Sequence, residues 1–262
     1  MTNSSSGLKY FLTSARSTLS KALTNRQPVH VFIGNEAADP DSIVSSLCSA
    51  YMGSTAHSSS SSSSSSCVPM CCIPRADLKL RRDTELLFTM AGLDINDLIC
   101  LEDAALVELS QQGLLTITLT DHNELATKWG SGEAAEGLSA AVVGIIDHHL
   151  DKGKHAQVTG ERRNIAFDSI TGCELAGSAC TLVAEMFLTK EGAPASIEEE
   201  VATLLSGVIL LDTSNMNPVV GKGKPRDEIA LNALLAALPG GATERRDATF
   251  SQLQSAKTDA TF

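Results

Sequence analysis

The sequence predicts an α/β fold, a mostly parallel sheet with helices on both faces. Short apolar runs alternate with segments of helical period along the chain, which is the pattern of strands joined by crossover helices. The runs are continuously apolar, as expected of strands buried on both faces. Four of the apolar segments are followed at once by acidic or histidine-bearing motifs, and ligands of parallel sheets sit beyond the carboxyl ends of the strands.

The elements follow in order. Leu8, Phe11, Leu12, Ala15, Leu19 and Leu23 fall at helical spacing and predict an opening helix. The first 35 residues hold no acid and carry Lys9, Arg16, Lys21 and Arg26 among Ser and Thr. Organelle transit peptides share that composition, and the helical period favours the helix. Val29–Gly34 reads as a buried strand and Asn35–Pro40 as a loop. Asp41 or Ser42 caps a helix running to about Met52, with Ile43, Val44, Leu47 and Ala50 on one face. The nine serines Ser58–Ser66 cannot bury apolar area and read as a disordered surface insertion.

Cys67–Ile73 reads as the next strand, Thr84–Ala91 as a helix ending at Gly92, Leu98–Leu101 as a short strand, and Ala104–Gln111 as a helix stopped by Gly113. Strands are expected at Leu114–Thr120, Ala141–Ile146 and Asn164–Phe167, and helices at Ser178–Thr189, Ser196–Leu211 and Pro225–Leu238. The last has Pro at its start and Pro239-Gly240-Gly241 behind it.

Composition narrows the function. Of 262 residues, 43% are hydrophobic and 4% aromatic, so Val, Leu, Ile and Ala must fill the core. A formal net charge of -11 argues against a nucleic-acid backbone as main partner, though not against a small polyanion. No apolar run approaches the roughly 20 residues that span a bilayer, so no membrane partner is expected. Seven cysteines, odd in number and scattered, point to reduced thiols in a cytoplasmic protein. Cys67, Cys71 and Cys72 lack the paired spacing of a zinc site and read as small buried hydrophobes.

The four motifs are Gly34-Asn35-Glu36-Ala37-Ala38-Asp39-Pro40-Asp41-Ser42, Thr120-Asp121-His122-Asn123, Asp147-His148-His149 and Asp212-Thr213-Ser214-Asn215. Singly, each has a plain structural reading. Asp39 and Asp41 suit a turn and a helix cap, and so does Asp121. His148 suits a satisfied core histidine, and Asp212 a surface carboxylate near a helix end. Together they would put at least four carboxylates and two imidazoles at one sheet edge. Such a set is costly unless cations neutralise it. Its mixed oxygen and nitrogen donors suit manganese, cobalt or magnesium better than a thiolate zinc site.

Asp147-His148-His149 after an apolar strand resembles the signature of the DHH phosphoesterase superfamily. The first motif resembles that of its prune-like exopolyphosphatase branch, where Asn stands at the position of a His in family II pyrophosphatases. Ile73-Pro74-Arg75-Ala76-Asp77-Leu78, Leu80-Arg81 and Leu211-Asp212-Thr213-Ser214-Asn215-Met216 extend the likeness. The resemblance implies two divalent cations. Asp39 and Asp121 would hold one, with Asn35 at a weakened position. Asp41, Asp121, His148 and Asp212 would hold the other. His149 would face substrate phosphate, and Asp147 would orient the histidines.

Arg75, Lys222 and Lys224 are the candidate substrate cations, the two lysines equally readable as a solvated basic turn. The resemblance further implies one domain over 1–240. It makes 241–262 a linker and the start of a second, cation-rich domain, whose near-absence puts activity in doubt. Polyphosphate chain ends are the expected substrate. Pyrophosphate is the alternative, and a nucleic-acid phosphodiester is disfavoured by charge. From another class comes a non-catalytic metal-holding interaction module. Oligomeric state is not readable.

Overall fold

The computed structural model describes residues 7–57, 66–125, 132–189, 197–240 and 242–259. Strands β1 (Val29–Ile33), β2 (Ser66–Met70), β3 (Leu115–Thr120), β4 (Val142–Asp147) and β5 (Arg163–Ile165) form one sheet in the order β2-β1-β3-β4-β5. Every neighbouring pair in it is parallel. A hairpin of β6 (Phe167–Asp168) and β7 (Cys173–Glu174) follows. The order in which strands are added reverses at the boundary of β1 and β3, since β2 lies on one side of β1 and β3, β4 and β5 on the other, and that boundary is the switch point at which such sheets open a crevice.

Two apolar cores lie on opposite sheet faces. Val29, Val31 and Ile33 of β1 point into one, with Val68, Ile117, Leu119 and Ile145. It is covered by α1 (Gly7–Asn25), α4 (Leu106–Gln111) and α5 (Glu133–Ala140). The other is built from α2 (Pro40–His57), α3 (Arg82–Met90), α6 (Ala179–Leu188), α7 (Glu199–Asp212), α8 (Pro225–Ala237) and α9 (Ala242–Thr258). Helix α1 buries Leu8, Leu12, Ala15, Leu19 and Ala22, the stripe its period predicts. Cys71 and Cys72 fall in opposite cores, and all seven cysteines are free.

The structure departs from the sequence reading at four places. Helix α2 begins at Pro40, not after Asp41 or Ser42. Asp39 is the cap, its Oδ1 accepting from the Ser42 N–H at 3.0 Å, with Pro40 at the first helical position. Leu98–Leu101 is not a strand but a link between two 3-10 turns. It still exchanges backbone bonds beyond the end of β2, from Cys71 N–H to Ile99 O and from Leu101 N–H to Ile73 O. Helix α5 has no counterpart in the sequence reading. Residues 242–258, expected as a linker and domain start, form one helix with Leu253 fully buried. Gly207 makes this packing possible, since a Cβ there would meet Leu87 at 2.4 Å and Leu253 at 3.2 Å. Of the serine tract, Ser58 to Ser65 lie outside the described residues, as does Ser196.

Candidate metal centre

Asn35, Asp39 and Asp41 follow β1, Asp121 follows β3, Asp147 closes β4, and His148 and His149 come next. All therefore gather at the carboxyl edge of the sheet beside the switch point. Asp212 arrives from another direction, as the last residue of α7.

Asp121 leaves β3 with φ 62, a left-handed conformation that costs a residue with a Cβ roughly 1–3 kcal/mol. Its N–H still continues the ladder to Ile146 O at 2.8 Å. Its Oδ2 accepts from Asn35 Nδ2 at 2.8 Å. Its Oδ1 is buried and has no hydrogen-bond partner among the described residues, facing His148 Nε2 at 3.3 Å and His149 Nδ1 at 3.7 Å. One ligand atom each from Asp121, His148 and His149 lies within 4.8 Å of the others.

Asp41 stands in the first turn of α2 and also against the start of α6. Ser178 Oγ and Cys180 N–H donate to its Oδ1 at 2.8 and 2.9 Å, and Ala179 N–H donates to Oδ2 at 2.7 Å. Two helix N-termini thus support this carboxylate. Its Oδ2 still lies 3.5 Å from His148 Nε2. His148 pairs its Nδ1 with Ala176 O at 3.1 Å, which assigns the proton to Nδ1 and leaves the Nε2 lone pair facing the acids.

Asp212 sits at the C-terminal end of a helix, where the dipole opposes an anion. Its Oδ2 is buried and also has no hydrogen-bond partner among the described residues. Burial first, and then Asp41 and Asp39, hold the carboxyls of both Asp121 and Asp212 well above their ordinary range. Burial and Asp41 raise Asp39 as well, against the Ser42 N–H and the cations Lys257 and Arg81. Two orphaned buried oxygens in a set of acids that raise one another, next to an imidazole lone pair, fit divalent cations.

Asp147 is different. Its Oδ1 accepts from the N–H of His148, the N–H of His149 and His149 Nδ1, at 2.8, 3.2 and 2.8 Å. Its Oδ2 accepts from Asn123 Nδ2 at 2.5 Å. Burial pushes this carboxyl up, but the bonds from His149 and Asn123 outweigh it and leave it below its usual value. The bond to Asp147 in turn raises the half-exposed His149.

The remaining sequence candidates divide. Asn35 does not turn its amide oxygen to the basin. That oxygen accepts from the Ala37 and Ala38 N–H groups, and the amide nitrogen holds Asp121, so the expected weak oxygen ligand is a strut. Arg75, expected at the substrate, donates to Asn96 O and Leu98 O and pairs with Asp103, pinning the 3-10 turns. Lys222 and Lys224 lie in the loop before α8, where Lys222 O packs on Gly177, the residue before the Ser178 that holds Asp41. Buried Asp227 ties this loop down by accepting from the Lys224 and Gly177 N–H groups.

The sequence reading missed the roles of Asn123, Ser178, Asp227, Arg81 and Lys257. Asn123 lay inside a recognised motif. Asp227 and Ser178 gave no signal, because their partners are distant in the chain.

Comparison with known proteins adds the following. The family model "DHH family, N-terminal domain" matches residues 30–209. The chain is 34% identical over 239 residues to human "Exopolyphosphatase PRUNE1", covering 91% of this chain and 47% of that protein, and matches the mouse protein to the same extent. It is 31% identical over 221 residues to the Schizosaccharomyces pombe protein named "Putative exopolyphosphatase", covering 79% of this chain and 52% of that one. The chain spans about half the length of these curated relatives. No helix among the described residues is long and apolar enough to cross a membrane.

Proposed function

The chain belongs to the DHH family, and from that premise we propose that it supports cation-dependent hydrolysis of phosphoanhydride bonds, releasing terminal phosphate from polyphosphate. The observation that carries the reading is the pair of orphaned carboxylate oxygens, Asp121 Oδ1 and Asp212 Oδ2, in the basin shared with Asp39, Asp41 and His148. Names of relatives as exopolyphosphatases supply the substrate class.

Asp39, Asp41, Asp121, His148 and Asp212 would hold two divalent cations, manganese, magnesium or cobalt. Such ions, when bound, acidify a water near neutral pH and neutralise phosphoryl oxygens. The protein's own groups do the rest. Asn35 fixes the Asp121 carboxylate, and Ala176 O fixes the His148 ring. Asp147 locks His149 through Nδ1, so Nε2 is the atom left to donate to a phosphoryl oxygen. The hydrogen bond to Asp147 raises the His149 pKa, the direction that favours a charged donor. Lys222 and Lys224 would add positive charge for the phosphate chain, a role supported by the packing of the Lys222 backbone carbonyl near Gly177. In this reading 1–240 is the cation-holding domain, and α9 leads towards a second domain while packed on the first.

Phosphate release from long polyphosphate, pyrophosphate and short oligonucleotides, with each cation in turn, tests this. Polyphosphate should be cleaved fastest and the oligonucleotide not at all. Cleavage of pyrophosphate alone would favour the pyrophosphatase alternative. Tight cation binding with no phosphate from any substrate would replace the reading by a non-catalytic module.

A further inference from the structure

Asp227 is fully buried in the first turn of α8 and belongs to none of the four sequence motifs. Part of its bonding is what a helix start requires: its Oδ2 accepts from the Lys224 N–H at 2.7 Å. The rest reaches a different element, 46 and 50 residues away in the chain. The Gly177 N–H donates to Oδ1 and Oδ2 at 3.0 and 2.9 Å, and Thr181 Oγ1 donates to Oδ1 at 2.5 Å. Capping α8 needs neither of these partners.

The segment between those two partners supports two members of the basin. Ala176 O faces Nδ1 of His148 at 3.1 Å. Ser178 Oγ and the N–H groups of Ala179 and Cys180 donate to Asp41. Gly177 is also tightly enclosed, since a Cβ there would meet Lys222 O at 2.9 Å, and Asp227 Oδ2 and Thr213 Cγ2 at 3.0 Å. Thr213 directly follows Asp212. We propose that Asp227 is a positioning residue, which fixes the stretch from Ala176 to Thr181 and thereby sets where His148 Nε2 and the Asp41 carboxylate stand. Its effect on cation binding rests on the reading of the basin as a cation site; its effect on the His148 ring does not. Ligands held from behind keep the separation a cation needs, and loss of such support lowers affinity without removing a ligand. Because the Gly177 N–H faces both Asp227 oxygens, an amide in place of the carboxylate would set an NH2 against that donor in either orientation.

Two readouts on the full chain test this: manganese affinity by calorimetric titration, and the Nδ1 proton of His148 by NMR of the cation-free protein. Asp227→Asn should weaken manganese binding about 10–100-fold and shift or broaden the His148 signal. Thr181→Val, which keeps Asp227 and removes one donor, should weaken binding about fivefold, and Thr181→Ser should restore both readouts. Thr181→Val decides the matter if Asp227→Asn does not fold. Leu19→Ala, in the opposite core, should lower the melting temperature and leave both readouts as they were. If Asp227→Asn and Thr181→Val behave like Leu19→Ala, Asp227 only caps α8 and the proposal is overturned, whether or not manganese binds. If the unaltered protein binds no manganese while Thr181→Val still shifts the His148 signal, the basin reading fails and the positioning role stands.

Discussion

Asp147 and Asp121 stand at the ends of adjacent strands, are equally buried, and are in opposite states. Asp147 accepts four hydrogen bonds and its pKa is lowered. Asp121 keeps one oxygen without a partner and its pKa is raised, as does Asp212. A buried carboxylate whose hydrogen bonds are complete is part of the framework. One left incomplete beside other acids marks where a cation belongs. The sequence motifs put both kinds side by side without distinguishing them.

The comparison breaks most sharply at the proposed ligand. Asp121→Asn should reduce divalent-cation affinity by more than the roughly 10–100-fold that outer partners cost, with phosphate release falling alongside. The cation-free protein should lose no thermal stability, because a repelled charge is removed. Calorimetric titration and melting curves check both, and a clear drop in the cation-free Tm would count against the assignment. Asp147→Asn should behave oppositely. We expect a loss of about 1.5–3 kcal/mol in denaturant unfolding, with cation affinity lowered about 10–100-fold through misplaced histidines.

pH separates the two classes without mutation. Asp121 and Asp212 bind protons more readily folded than unfolded when cations are absent. Their contribution to stability is therefore complete below the ordinary value of 3.8 and is lost as pH rises through the raised values. Asp147 has the opposite sign: its contribution is present above 3.8 and lost as pH falls through its lowered value. In chelator, Asp121 and Asp212 should make Tm rise as pH falls through their raised values, and saturating cation should flatten that slope. A chelator curve with no slope would contradict the raised carboxyls.

Smaller effects sharpen the picture. Asn123→Ala removes one donor from Asp147 and should cost about 1–2 kcal/mol in denaturant unfolding. Least of all, Arg246→Ala should cost under about 1 kcal/mol while loosening the cation site. Arg246 and Asp247 grip Asn215, which lies in a run of three left-handed residues, Ser214, Asn215 and Met216, that begins two residues after Asp212. Cation affinity falling while Tm stays nearly constant would be the expected signature.

Much of the fold was legible because burial writes itself into composition. Val29–Ile33 and Val142–Ile146 are apolar in nearly every position, Leu115–Thr120 alternates Leu or Ile with Thr, and α1 carries a clean stripe. Leu98–Leu101 misled for the same reason. It is buried, but the turns at Ile95 and Leu101 leave it too short to form a ladder. Helix α9 was obscured because its sequence is polar and, among the described residues, only Leu253 is fully buried, with Phe250 partly buried against the same core.

The sequence by itself determined the parallel α/β layout and the edge at which Asp39, Asp41, Asp121 and His148 meet, since alternating apolar strands and helices, with motifs directly after the strands, suffice for that. Only the tertiary structure decided which acids are struts and which are open, that Asn35 holds Asp121 and that Arg75 is engaged by Asn96, Leu98 and Asp103. Those outcomes depend on hydrogen-bond partners up to 139 residues apart, as between Asp41 and Cys180, and no local pattern encodes the direction in which a side chain finds its partner.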